Sequence, residues 1–191
     1  MKQATIFNRA SGEIIRWGDF DDNDLTITTV PGEDFVVGIF DGHKYFVDTQ
    51  TNEAKLIPPS PTPHHVFKCT TKQWEDPRTL ADYKAAQWEL IKQARSNAEY
   101  AGFTWDGSTF DSDAISQQRI TGAVTLAQLS PGFTIDWTLA DNSVRTLNQA
   151  DMIAVGVALG QHVQTQFTKA QALRLQIETA STPEQVAAVV W

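Results

Sequence analysis

Residues 148–180 read NQADMIAVGVALGQHVQTQFTKAQALRLQIETA, and this stretch decides the fold of the second half of the chain. Apolar or small side chains recur in it at steps of three or four residues, the period of one face of an α-helix. Asn148 and, three residues later, Asp151 predict a capping box at the helix start. One continuous helix is therefore expected over about 148–180. The members of its predicted stripe are Ile153, Val157, Gly160, Val163, Phe167, Ala170, Leu173 and Ile177.

This stripe needs a covering surface, and the sequence leaves two possibilities open. Hairpins at 103–110 and 133–146 would cover it within one chain. Alternatively, a second copy packs along it, because a seven-residue spacing recurs in it as in coiled coils. Gly156 and Gly160 would let a partner backbone approach closely. The second possibility predicts a homo-oligomer, either a dimer or a trimer.

Turn and cap residues predict three shorter helices in the second half of the chain, residues 76–191. The first has Asp76 as its N-cap and Pro77 in its first turn. The second begins at Ser112 or Asp113, since both side chains can accept a hydrogen bond from a first-turn amide. Asp-Gly and Asp-Asn turns place two short hairpins beside these helices. The predicted helix bounds are about 77–101, 113–130 and 183–191.

The first half, residues 1–57, predicts a small antiparallel β meander. Asp41-Gly42 separates two apolar runs and predicts a hairpin between 35–40 and 44–47. The run Pro58-Pro59-Ser60-Pro61-Thr62-Pro63 then favours an extended chain and predicts a semi-rigid spacer between two domains. Residues 58–75 form this connector with one strand. The expected fold class is α+β: a β domain, the spacer, and a mainly helical domain with two short hairpins.

Composition excludes several classes of protein. The 191 residues carry a formal net charge of −8, whereas binding to a nucleic-acid backbone needs clustered Lys and Arg. No window approaches the roughly 18 consecutive apolar residues of a membrane span. The first residues lack the apolar segment of a secretory signal. Because Cys69 is the single cysteine, no internal disulfide forms.

No pattern of catalytic, cofactor-binding or metal-binding residues emerges from the sequence. The run from Asp19 to Asp24 begins like a calcium loop but has Asp24 at the glycine position, so it is interpreted as a solvated acidic turn. His64 and His65 are adjacent on an extended chain and point in opposite directions. Cys69 lacks a nucleophile signature. The sequence therefore predicts a protein that is not an enzyme and needs no cofactor.

Aromatic residues are more informative, because six Trp, ten Phe and three Tyr provide large apolar surfaces. Most of them are expected in the core. Others are expected on an apolar face that contacts another chain or a sugar. The candidate interaction residues are Trp105, Phe110, Trp137, Gly160, Val163, Phe167 and Trp191.

Two sets of residues resemble proteins of tailed bacteriophages. The first half resembles tail-fibre assembly proteins: Tyr45-Phe46-Val47-Asp48 ends a strand pair, a Pro-rich connector follows, and Trp74 precedes a charged helix. The second half, about 80–191, resembles a phage domain of unknown function. The residues that carry this second resemblance are Phe110-Asp111-Ser112-Asp113, Ile120, Trp137-Thr138, Leu147-Asn148 and Trp191.

The resemblance implies a virion component at the tail fibre or tail tip, which contacts fibre or baseplate proteins. It also implies synthesis in the host cytoplasm and a final location in the virion tail. Tail fibres are commonly trimeric, which adds to the expectation of a homo-oligomer. Two alternatives remain open: an assembly chaperone absent from the mature virion, and a carbohydrate-binding module at the tail tip. The last would require a Trp platform or paired carboxylates in a cleft.

Overall fold

A computed structural model describes residues 2–21 and 29–191, and it has the expected mixed α+β architecture. The chain divides into two compact units, Met1–Arg78 and Thr79–Trp191. This division lies later than the Pro-rich run at 58–63, so residues 58–75 belong to the first unit. Of the acidic run, residues 22–24 lie outside the described part of the chain.

The first unit begins with a three-stranded antiparallel sheet of β1 (Lys2–Asn8), β2 (Ile14–Phe20) and β3 (Glu33–Val37), in the order β2-β1-β3. As the central strand, β1 buries both of its faces. Asn8 fixes the first turn, since its side-chain oxygen accepts from the amides of Ala10 and Ser11. The predicted antiparallel strands of the first half are thus confirmed.

The hairpin predicted around Asp41-Gly42 is wrong, because β3 pairs with β1 instead. β3 ends at Val37, because the φ of +115° at the next residue, Gly38, breaks the strand. The buried hydroxyl of Thr5 donates to the Gly38 carbonyl and accepts from the Phe40 amide, which turns the chain away. The Asp41 carboxylate then accepts from the His43 amide, so this Asp-Gly pair forms a turn within a loop.

Two hairpins complete the first unit: β4 (Tyr45–Asp48) with β5 (Glu53–Leu56), and β6 (Val66–Lys68) with β7 (Gln73–Glu75). Asp48, which is buried, joins them. Its carboxylate accepts from the ammonium groups of Lys55 at 2.6 Å and Lys72 at 2.8 Å. These two hydrogen bonds hold the pKa of Asp48 well below its usual range.

The second unit contains four helices and two hairpins. Its helices are α1 (Leu80–Glu99), α2 (Ala114–Leu129), α3 (Gln149–Thr179) and α4 (Pro183–Ala187). Its hairpins pair β8 (Phe103–Trp105) with β9 (Ser108–Phe110), and β10 (Thr134–Thr138) with β11 (Val144–Asn148). The long helix, its Asn148–Asp151 capping box and the Asp113 cap of α2 are confirmed. No helix among the described residues has the length and apolar character to span a membrane.

The predicted start of α1 is wrong by three residues. Thr79 is its N-cap and forms a capping box with Asp82. The Asp76 carboxylate is bonded instead to the guanidinium and amide of Arg78. The difference has a simple cause, since a Thr three residues before an acid satisfies two terminal amides at once.

Different elements cover the two halves of α3 within the second unit. α1 runs antiparallel to its second half: Lys84 Nζ donates to the Glu178 carbonyl, and His162 Nε2 lies 3.1 Å from the Glu99 carbonyl oxygen. α2 and the hairpins cover its first half. The buried residues of α3 are Met152, Val155, Leu159, Ala170 and Ile177.

The predicted stripe on α3 is therefore correct in the second half of the helix and at Ile153, which packs against the core, and wrong at Val157 and Gly160. Val157 is 55% exposed, while Leu159 is buried. The buried residues Met152, Val155, Leu159, Ala170 and Ile177 keep helical spacing along one face, so α3 does have a single stripe, and the prediction chose a neighbouring register for it in the first half. The close helix approach occurs at Gly156, where an added Cβ would lie 2.6 Å from Val124 Cγ2, and around Gly160 there is open space.

Candidate interaction groove

A groove of about 600 Å³ lies between α2 and β10 in the second unit. One wall is formed by residues of α2, and the other by the consecutive residues 135–139. Asp111 and Asn142 stand at its margin. The groove thus runs between the side of β10 and the surface of α2, and several residues of each element line it.

The α2 wall follows from the capping and the two faces of this helix. The Asp113 carboxylate accepts from the Ser116 hydroxyl and from the amides of Ile115 and Ser116, which lowers the pKa of Asp113. Ile120, Ala123 and Ala127 face the core. The adjoining side is apolar and open at Leu126, which is 56% exposed and lines the groove. Gly122 also lines it, and an added Cβ there would meet nothing within 4 Å.

The β10 wall exposes main-chain groups, because β10 pairs with β11 only among the described strands. The Leu139 amide donates to the Ser143 carbonyl at 2.8 Å. This bond sets the phase of the antiparallel ladder, that is, which alternate residue pairs are hydrogen-bonded to each other. Trp137 and Arg145 are therefore a hydrogen-bonded pair, whereas Asp136 and Thr138 direct their amides and carbonyls away from β11.

Two further contacts support this phase. The Thr146 hydroxyl donates to the Asp136 carboxylate at 2.6 Å, as expected for the closer side chains of a non-hydrogen-bonded pair. The Ala140 amide, next in the outward-facing series, donates to the Thr109 carbonyl at 3.0 Å. The edge of β10 is consequently occupied at Ala140 and open at Asp136 and Thr138.

The chemistry of the groove suits reversible binding. It combines apolar surface from Leu126, Ile135 and half-buried Trp137 with two carboxylates, Asp111 and Asp136. Arg119 is the one cation among its lining residues. Over the described residues, no three His, Cys, Asp or Glu side chains lie together as a metal site would require.

Cys69 is in the first unit, on the turn between β6 and β7. Burial raises the pKa of its thiol, so that the protonated form dominates near neutral pH. A protonated thiol is a poor nucleophile. This environment is typical of a structural cysteine.

Of the candidate interaction residues on the hairpins, the structure places only Trp137 in the groove. Phe110 is completely buried in the core, with its ring centroid 5.5 Å from that of Phe103. Trp105 is half-buried beneath the Arg145 guanidinium, which lies 4.9 Å from the ring centroid. Phe110 and Trp105 thus stabilise the second unit from within.

The candidates on and near α3 are scattered. Gly160 is exposed, and Val163 packs at the margin of the core formed with the hairpins. Phe167 lies under the Arg95 guanidinium at 4.4 Å, and Trp191 lies under the Lys169 ammonium at 4.3 Å. Both rings are therefore already partly covered within this unit.

Sequence reasoning missed the α2 wall. A signal for it exists, because Ile115, Arg119, Gly122, Leu126 and Leu129 recur at helical spacing. The leucines and Ile115 are more than half exposed, which the sequence alone does not reveal. The open edge of β10 depends on tertiary packing and has no local signal.

Comparison with known proteins gives one match. The model of a family described as a domain of unknown function, DUF4376, matches residues 82–190, more than half of the chain. No curated protein and no solved structure matches the chain. The matched region contains almost all of α1, the other elements of the second unit and the entire groove.

Proposed function

The chain belongs to the DUF4376 family, and we propose that it is a non-enzymatic structural protein of a bacteriophage tail. It would be associated with the tail fibre or tail tip and would contact fibre or baseplate proteins. Its synthesis would take place in the host cytoplasm and its final location would be the virion tail.

The observation that carries this proposal concerns the residues that resemble tail-fibre assembly proteins. Those that lie in the first unit meet there, directly or through Phe67 and Lys72. The ring centroids of Phe46 and Phe67 lie 5.2 Å apart, and those of Phe67 and Trp74 lie 5.4 Å apart. Trp74 Nε1 donates to the Pro58 carbonyl, and Lys72 bridges to Asp48. A set of residues that forms one small cluster supports a shared structural role better than scattered matches would.

The second unit supports a binding role rather than a chemical one. Its groove offers apolar surface, charge and main-chain groups, a combination found where proteins bind other chains. A chain with one binding groove and a separate β unit suits a component that links parts of an assembly.

Quantitative mass spectrometry of purified particles tests the proposal. Particles of the phage or prophage that encodes the chain would be purified on a density gradient and washed in high salt. We expect the chain at a fixed ratio to the tail proteins. Presence in the lysate bound to fibre protein, with absence from particles, would support the chaperone alternative instead.

A carbohydrate-binding module is the second candidate, and one observation favours it. Trp137 lines a groove that also contains Asp111, Asp136 and Asn142, and aromatic rings beside carboxylates and amides suit sugar recognition. Titration of the intact chain with the host's surface polysaccharide tests this candidate. Quenching of Trp fluorescence that Trp137→Phe abolishes, and that Trp17→Phe leaves intact, would support it.

A further inference from the structure

We propose that the groove between α2 and β10 binds an extended segment of a partner protein, which adds to the open edge of β10 as a further strand. The segment alternates apolar and basic side chains. This inference rests on the proposed function only for the identity of the partner, a tail protein. The binding mode rests on the groove itself.

Main-chain hydrogen bonds would provide much of the contact. Asp136 and Thr138 present two amides and two carbonyls toward the groove, as the phase of the β10–β11 ladder requires. Extended peptides bind sheet edges in this way, because each second residue of the edge strand offers a donor and an acceptor. A strand of about five residues would span this open part of the edge.

The existing bond at one end of the edge shows that it accepts such a neighbour. Ala140 belongs to the same outward-facing series as Asp136 and Thr138, and its amide already donates to the Thr109 carbonyl in β9. The end of β9 therefore occupies the edge at that point. An added segment would continue the same row of bonds along the open residues.

The side chains around the edge specify the alternation. On the side of the sheet that faces α2, the added strand would meet Leu126, Gly122 and the ring of Trp137. These surfaces select apolar side chains. On the opposite side of the sheet lies the carboxylate of Asp136. The side chains of Thr134 and Thr138 are exposed on that same side and are uncharged, so Asp136 provides the charge there.

Charge favours basic residues at those opposite positions. Two carboxylates border the groove, Asp111 at its margin and Asp136 on the outer side of β10, against the single guanidinium of Arg119, and the whole chain has a formal net charge of −8. A Lys or Arg on the added strand next to Asp136 would complete an ion pair at the rim. An acidic segment would meet like charge there and is disfavoured.

Selection from a library of random decapeptides displayed on ribosomes tests the proposal with the full-length chain. Gly122→Phe would place a ring at the groove, and its Cβ would have no neighbour within 4 Å. Gly160→Phe is the matched control: another exposed helical glycine with open space, outside the groove. We expect peptides that alternate apolar and basic residues, bind wild type and Gly160→Phe equally, and lose at least about tenfold in affinity to Gly122→Phe.

The strand geometry has its own test. In a selected peptide, N-methylation of one alternate set of amides should abolish binding, while N-methylation of the other set should leave it intact. Amide hydrogen exchange of the protein should slow by about tenfold or more at Asp136 and Thr138 on peptide binding. The Trp137 amide, already bonded to β11, should change little.

Several outcomes would overturn the proposed strand site. These outcomes include a selection without groove-dependent peptides, selected peptides rich in Asp or Glu, and equal sensitivity of both amide sets to N-methylation. A dimer of the chain that Gly122→Phe dissociates would assign the groove to a second copy. Sugar binding that perturbs Trp137 without protecting Asp136 and Thr138 would assign it to carbohydrate. Absence of the chain from particles would remove the tail role alone and would leave the strand site standing.

Discussion

Each of the two units is stabilised internally by a different kind of contact. Of the 21 buried apolar residues in the described part of the chain, five lie in the first unit and 16 in the second. Two of the three buried polar residues, Thr5 and Asp48, are in the first unit. The first unit therefore depends on a few polar contacts between strands and loops, and the second on apolar packing around α3.

This difference shows how each unit reaches a unique structure. Short strands bury little apolar surface, so the first unit uses a hydroxyl bridge and a carboxylate with two ammonium partners to fix its loops. The second unit has a 31-residue helix whose buried face is covered by different elements along its length. Its specificity comes from shape complementarity, most clearly where Gly156 meets Val124.

The largest expected effect comes from a core truncation in the second unit. Phe110→Ala should lower the free energy of unfolding of that unit by about 3–5 kcal/mol, because it removes a completely buried ring from the core. Trp17→Ala is the control, since Trp17 is 54% exposed on the first unit. Hydrogen exchange with mass spectrometry would resolve the two units. A loss of less than about 1 kcal/mol for Phe110→Ala would contradict the role assigned to apolar packing.

Removal of the Thr5 hydroxyl, which bridges the Gly38 carbonyl and the Phe40 amide, tests the role of polar contacts in the first unit. Thr5→Val keeps the size of the side chain but leaves the Gly38 carbonyl and the Phe40 amide without their partner. We expect the first unit to lose about 1–3 kcal/mol of stability, the cost of unpaired buried polar groups. Thr5→Ser keeps the hydroxyl and should retain most of the stability. Equal losses in the two variants would show that the methyl group matters and the bridge does not.

Acid should destabilise the first unit through Asp48. The pKa of Asp48 is lower in the folded chain than in the unfolded chain, so the unfolded chain takes up the proton first. The stabilising effect is complete above the unfolded pKa of about 3.9 and declines as the pH falls below it. Asp48→Asn should lower the Tm of the first unit at pH 7, and the difference from wild type should shrink by pH 3.

The control for this prediction is Asp41→Asn, because Asp41 is exposed and its amide counterpart can still accept from the His43 amide. Its Tm difference from wild type should stay small at both pH values. A constant deficit for Asp48→Asn between pH 7 and pH 3 would contradict the ionic account of the Lys55–Asp48–Lys72 contact.

The features of the fold that sequence predicted are those with a local chemical signal. The side chains of Asn148 and Asp151 each accept a hydrogen bond from the other residue's backbone amide, across one helical turn. The Asp113 side chain caps α2 by accepting from amides two and three residues later. Such contacts need no knowledge of distant residues. The hairpins at Asp106-Gly107 and Asp141-Asn142 belong to the same class, since Asp106 and Asn142 have positive φ.

What the sequence did not reveal depends on distant contacts. The pairing of β3 with β1 rests on Thr5, 33 residues before Gly38. The buried face of α3 depends on which helix lies against each half. The candidate groove required both kinds of information, so sequence identified Trp137 but not the open main chain of Asp136 and Thr138.

The smallest expected effect distinguishes a packed from an open position on α3 with a pair of glycines four residues apart. Gly160→Ala should raise the stability of the second unit by about 0.5–1 kcal/mol, because Gly160 is exposed and alanine favours a helix. Gly156→Ala should lower it, since the added Cβ would lie 2.6 Å from Val124 Cγ2. Urea unfolding measures both, and Val124→Ala should relieve the cost of Gly156→Ala in the double variant. If both alanine variants are more stable than wild type, α2 moves to accommodate the added methyl group at Gly156. If Gly160→Ala lowers the stability and also lowers the oligomeric mass measured by sedimentation, a second copy packs against α3 at Gly160.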